Sequence, residues 1–201
     1  MGLMNGSASF VRFAVTGDLP ENPLDYIARR ISAYSFRDID ETTDEYSVGW
    51  VSVLNMFDAA FEYASFRNGD YIVLSLRIDE RKVSSAVLKK FIAKEEERVR
   101  RERQVPKLGR AARIEIKERV KAELTAKSIP VPTVYDLCWN LSDNTLLFFT
   151  TNKKAHTVLE DFFKDCFGLL IIQQIPYNTA EKLLGSESGS ALESMNPQLF
   201  M

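Results

Sequence analysis

The chain has a single histidine, His156, among its 201 residues. That excludes a multi-histidine metal centre. His156 reads as a surface residue of a helix, so it offers no base to a Ser/His/Asp or Cys/His pair. Glycine is scarce too: nine in all, none in a Gly-Lys-Ser/Thr phosphate loop. The two cysteines, Cys138 and Cys166, have neither metal nor redox spacing and read as buried thiols of a reducing cytoplasm. No apolar run reaches the roughly 18 residues of a membrane span. The N-terminal stretch lacks the basic start and apolar run of a secretory signal. Carboxylates are plentiful but scattered. Asp136 and Asp143 lie near a predicted hairpin with no third partner, and Glu115-Ile116-Lys117 is an acid-x-lysine string on a helix, where such strings arise by chance. A metal-dependent nuclease needs positioned ligands. No catalytic residue, no metal ligand and no cofactor is therefore assigned.

What the chain does have is charge, unevenly placed. Between Arg81 and Lys127 it carries sixteen of its twenty-six Lys/Arg residues and seven acidic ones, a surplus of nine positive charges; the remainder has ten basic and twenty-one acidic residues. The overall charge of −2 thus conceals a polarised molecule. A concentrated positive segment on an acidic protein points to a polyanionic partner, most simply nucleic acid. The competing reading is that these are solvated helical faces.

Around that segment the pattern is mixed. Phe10 to Thr16, Val48 to Leu54 and Tyr71 to Ile78 read as strands, and Pro23 opens a helix with Leu24, Ile27 and Ile31 at spacings of three and four. Ser84 or Ser85 caps a helix running to about Arg103. Its large apolar residues fade after Ile92 except for Val99, so that half projects into solvent or toward a partner. Pro106 and Gly109 break the chain, and a second helix spans Arg110 to Lys127, stopped by Ile129-Pro130-Val131-Pro132. Thr133 to Asn140 and Thr145 to Thr150 flank Ser142-Asp143-Asn144 as a hairpin. Asn152 caps a helix ended by Gly168, and Leu169 to Ile172 begins a last strand. Trp50 and Trp139 fall on strands and read as core. The expectation is an α+β fold. Two β-α-β-β-like halves form an antiparallel-rich sheet body, residues 8–176, with an inserted, protruding pair of charged helices over 84–127. A Ser/Gly/Glu-rich tail over 185–201 is expected to be disordered.

At 100° per residue, Arg110, Arg113, Lys117 and Lys121 fall within about 80° of one another. Lys90, Lys94, Arg98 and Arg101 form a comparable stripe on the first helix. The intervening glutamates, 95–97, 115, 118 and 123, are expected mainly elsewhere around each axis. Two all-cationic stripes without Asn or Gln interleaved suit phosphates rather than base edges. Asn152-Lys153-Lys154 places two lysines at a helix N-terminus, where free N–H groups could join them on a phosphate oxygen.

Several stretches, in order, resemble the bacterial recombination-associated RdgC family. They are Gly49-Trp50-Val51; Asp79-Glu80-Arg81-Lys82-Val83 with Val87 and the long charged helix; Ile116-Lys117-Glu118-Arg119-Val120; Trp139-Asn140 and its hairpin; and Asn152-Lys153-Lys154-Ala155 with Leu159. The resemblance covers about residues 10–176. It implies a DNA-binding protein without sequence specificity that forms ring-shaped dimers around DNA and restrains RecA-driven strand exchange, hence a cytoplasmic, nucleoid-associated homodimer. The chain reads as a short member without the family's further C-terminal region. The family's Leu-Pro-Arg-Ala-Phe loop after the arm is replaced by Ala126-Lys127-Ser128-Ile129-Pro130. The first reading is thus DNA binding through phosphates. A protein-interaction module whose charged arm binds an acidic partner or self-associates is the alternative, and a nuclease, a label sometimes given to the family, is third.

Overall fold

The computed structural model describes residues 2–4, 8–62 and 65–185. Strand β1 (Val11–Thr16) leads into helix α1 (Pro23–Ala33), then β2 (Tyr46–Val51), a short β3 (Arg67–Asn68) and the long β4 (Tyr71–Arg81). Helices α2 (Ser85–Glu102) and α3 (Arg110–Lys127) follow. The chain then forms β5 (Pro130–Asn140), β6 (Thr145–Phe148), α4 (Lys153–Phe167), β7 (Leu170–Gln173) and α5 (Pro176–Leu184). The strands make one antiparallel sheet in the order β2-β4-β5-β6-β1-β7, with β3 paired to the start of β4. The α+β expectation and the inserted helical pair are thus what the chain forms. Helix α5 has no counterpart in the sequence reading. The stretch expected to be disordered lies, beyond Gly185, outside the described residues.

One sheet face carries the core. Alternation along β4 puts Ile72, Leu74 and Leu76 on that face with no exposure, and β5 adds Leu137 and Trp139. Helices α1 and α4 cover it with Ile27, Ile31, Leu159, Phe163 and Phe167. Fully burying such a side chain contributes about 1.5–3 kcal/mol. Trp50 and Trp139 are core, as expected. Trp50 packs on Phe162 at 5.0 Å and Trp139 on Phe163 at 5.3 Å between ring centroids, and the Trp50 indole donates to the Cys166 thiol at 3.2 Å. His156 corrects its expectation: it is buried, edge-on to Phe13, with Nε2 2.9 Å from the Thr150 carbonyl. It helps close the core at the start of α4.

The opposite face of β4 is polar yet buried: Ser75, Arg77, Asp79 and Arg81. Residues two apart share a face, so Arg77 meets Asp79 at 2.6 Å, with the guanidinium 4.2 Å from the Phe36 ring. The hydrogen bonds that Arg77 donates to the Asp79 carboxylate raise the Arg77 pKa above its ordinary value. The chain over this face lies close to β2. Phe36 donates to the Trp50 carbonyl at 2.9 Å and Trp50 to the Tyr34 carbonyl at 3.0 Å. A β-carbon on Gly49 would stand 2.3 Å from the Phe36 Cα, so only glycine fits there.

Strand β5 starts three residues before its expected beginning, at Pro130, and runs through Pro132. The reason is register. Arg81 donates its N–H away from β5, to Glu45 on the β2 side, so the facing position Pro130 owes no donor to β4. Its missing N–H, and that of Pro132, point to an edge that β6 reaches only from Leu137 onward. Proline is tolerated at such an edge and discourages strand addition there.

Candidate nucleic-acid interface

The helical arm grows from β4 and returns into β5. Ser84 caps α2, its Oγ accepting from the Val87 N–H at 3.3 Å, and α3 begins after Gly109. Each helix has 18 residues, about 27 Å at 1.5 Å per residue. The two close on each other along a seam of Val99, Ile116 and Val120, flanked by Leu88, Ile92, Leu108 and Leu124. This cluster is separate from the body's core. Val99, the lone large apolar residue of its half-helix, is therefore buried against α3, while its neighbours over 100–107 are exposed.

Arg81 ties the arm's root to the body. Though counted within the basic segment, it is only 8% exposed. Its guanidinium donates to the carbonyls of Ile39 at 2.8 Å, Thr42 at 2.9 Å, Asp44 at 2.9 Å and Asp40 at 3.4 Å, and to that of Ser128, just past α3. One side chain thus joins the end of β4, the 39–44 loop and the return of the arm.

All ten predicted cations, Lys90, Lys94, Arg98, Arg101, Arg110, Arg113, Lys117, Lys121, Lys153 and Lys154, are exposed. Their surroundings differ from the sequence reading in two ways. First, the glutamates of α2 do not sit apart from its stripe. Arg98 bonds Glu95 at 2.6 Å and Glu102 at 2.8 Å, and Arg101 bonds Glu97 at 2.8 Å, at the three- and four-residue spacings that face each other on a helix. Arg100 also pairs with Glu97, and Arg119 reaches across from α3 to Glu95. Hydrogen bonding from Arg98 holds the Glu95 carboxyl below its usual range, and Glu95 in turn raises the Arg98 pKa.

Second, the two stripes do not merge into one surface. Lys94 and Arg98 border a cleft with Arg119 and Lys127, whereas Arg113 borders a cleft with Arg100 and Lys107. On α2 the first cleft is lined by residues 91, 94, 95 and 98 and the second by 93, 96, 97 and 100. At 100° per residue these sets fall on opposite sides of the Leu88–Ile92–Val99 seam. Among the described residues, Lys90, Lys94, Arg110, Arg113, Lys117, Lys121, Lys153 and Lys154 enter no ion pair.

Lys153 and Lys154 stand on the body rather than the arm. Asn152 caps α4, its Oδ1 accepting from the Lys154 N–H at 3.0 Å, so that donor is already used. Lys154 borders a cleft with Lys82, Tyr46, Thr133 and Tyr135, which brings it beside the arm's root. Lys82, paired with Glu80 at 2.7 Å, was not singled out from the sequence. Nor were Arg100, Lys107, Arg119 and Lys127. Only the packing of α2 on α3 brings these four to the clefts.

The scattered carboxylates have structural partners. Asp136 accepts from the Ser75 hydroxyl at 2.5 Å and from the Leu3 N–H at 2.7 Å, and Asp143 accepts from the Thr145 N–H in the hairpin turn. Among the described residues no three His, Cys, Asp or Glu side chains are grouped to hold a metal ion, and no helix is long and apolar enough to cross a membrane.

No curated protein matches the chain. The family model described as "Putative exonuclease, RdgC" matches residues 11–184, from β1 through α5 and including the whole arm. On that match, which takes in the greater part of the chain, this protein belongs to the RdgC family.

Proposed function

We propose that this protein binds DNA without regard to sequence, through contacts between its exposed cations and phosphates. The observation that supports this most is a set of exposed cations on the arm and at the start of α4 that enter no ion pair among the described residues, on a chain that carries net negative charge outside the 81–127 segment. Lysine and arginine rows of this kind release condensed counterions from a polyanion and read no base edge. Membership of the RdgC family supports the wider reading: a homodimer at the nucleoid that restrains recombination by a RecA-type recombinase. The reading assigns no catalytic step, because Asp136 and Asp143 are engaged in holding β5 and its hairpin.

The test is a fluorescence-anisotropy titration with several duplexes of unrelated sequence across a salt series. Contacts by the four α3 cations, Lys153 and Lys154 give a slope of log K against log salt near −5, at about −0.9 per contact. All sequences should fall on one line. A single duplex bound a hundredfold more tightly, or no binding at low salt, would overturn the reading. End-labelled DNA incubated with the protein and Mg²⁺ should stay intact.

A further inference from the structure

Phosphate contacts divide unequally between the two helices of the arm, and helix periodicity explains why. A carboxylate reaches a cation on its own helix from three or four positions away. Arg98 has Glu95 and Glu102 at those distances and bonds both; Arg101 has Glu97 and bonds it. On α3, Arg110, Arg113 and Lys117 have no acidic residue at either distance, Lys121 has only Glu118, and none of the four forms an ion pair among the described residues; on α2 Lys90 and Lys94 are unpaired too, but Lys94 borders the Arg98 cleft, across the seam from Arg113. A cation held by a carboxylate must give up that partner to take a phosphate, so it adds little to binding. An unpaired one keeps its full effect.

Geometry separates Arg98 from the α3 row as well, whereas Arg101 is held within α2 by Glu97. The cleft that Arg98 borders and the cleft that Arg113 borders lie on opposite sides of the seam, so a duplex lying along one side leaves the other behind. From Arg110 to Lys121 the row rises about 16 Å at 1.5 Å per residue. At roughly 3.4 Å per nucleotide along a strand that spans about five nucleotides. The ion pairs on the other side join the helices instead: Glu95 bridges Arg98 of α2 to Arg119 of α3.

We infer that the α3 row, Arg110, Arg113, Lys117 and Lys121, is the DNA-facing side of the arm, and that Arg98 and Arg101 hold the arm's shape rather than the nucleic acid. The inference rests on the DNA-binding reading above. Two full-length variants separate them: Arg113→Gln/Lys117→Gln/Lys121→Gln on α3, and Arg98→Gln/Arg101→Gln on α2, each with a thermal melt to confirm folding. Removing three contacts at about −0.9 each flattens the salt slope by nearly 3. The affinity lost between 50 and 200 mM salt then shrinks about 40-fold relative to the unmodified protein. The α2 pair should melt earlier and keep the original slope; should it fail to fold, the α3 variant decides alone. An unchanged slope in the α3 variant, or an equal flattening in the α2 pair, overturns the inference while leaving the DNA reading intact. Absence of binding by the unmodified protein at 50 mM salt overturns the DNA reading itself.

Discussion

Replacing Arg81 with methionine keeps an apolar stem of similar reach to the arginine's methylenes and removes the guanidinium beyond it. That group donates to carbonyls of Ile39, Asp40, Thr42, Asp44 and Ser128. A hydrogen bond involving a charged group is worth about 1.5–3 kcal/mol. Three of these bonds, at 2.8–2.9 Å, are of full strength, and the 3.4 Å contact to Asp40 adds little. A plain sum overshoots, because residues 40–45 are exposed and water can reach their carbonyls once the arginine is gone. Only the bond to Ile39 is fully buried, and its carbonyl keeps the Thr42 N–H at 3.1 Å and the Thr42 hydroxyl at 3.3 Å as donors. The expected loss is about 3–4 kcal/mol, at the upper end for a single substitution. Equilibrium unfolding in urea measures it as a fall in midpoint with m unchanged. Arg81→Lys should recover less than half, since an ammonium has three donors and no planar fork. The folded fraction of Arg81→Met should bind DNA with the original salt slope, because the guanidinium is engaged inside the protein. A loss below about 1 kcal/mol would refute the idea that Arg81 fastens the loop and the arm.

Gly49→Ala forces its new carbon against the Phe36 backbone and should break the two hydrogen bonds between β2 and residues 34–36, costing about 1–3 kcal/mol and 2–4 °C in Tm per kcal/mol; an unchanged melting curve would contradict the close approach. Cys166, its thiol pushed up to about 12 by burial, should resist iodoacetamide at pH 8 until the protein unfolds, which intact-mass spectrometry in native and denaturing buffer reads directly. Glu95→Gln removes a carboxylate whose pKa is lowered in the fold by Arg98, then by Arg119. Such a group contributes stability above its ordinary pKa and loses it as pH falls through the lowered value. The variant should thus melt earlier than the parent at pH 7, by under about 1 kcal/mol for so open a pair, and the difference should vanish in acid.

Local signals made most of the elements readable. Ser84 and Asn152 accept from their own first turns, and Gly168 takes the left-handed conformation at the end of α4, so caps marked the helices from sequence. The bounds of α3 are those its apolar repeat predicted, because that repeat faces a single partner. The ion pairs of Arg98 and Arg101 were within reach too: their acids lie three and four positions away, and the spacing rule applied to glutamates as well as lysines would have found them. Tertiary structure alone decided the rest. Arg81 carries the same charge as its neighbours in the basic segment, yet the pleat of β4 turns it under a loop 39 residues away. His156 looks like a surface helical residue until β1 and β6 bring Phe13 and Phe148 against it. Two stripes of like charge look alike along the chain, but the seam between α2 and α3 puts Lys94 and Arg98 on one side and Arg113 on the other. Charge and periodicity are local properties of a sequence; which side chains stay free to meet a partner depends on what distant segments are packed against them.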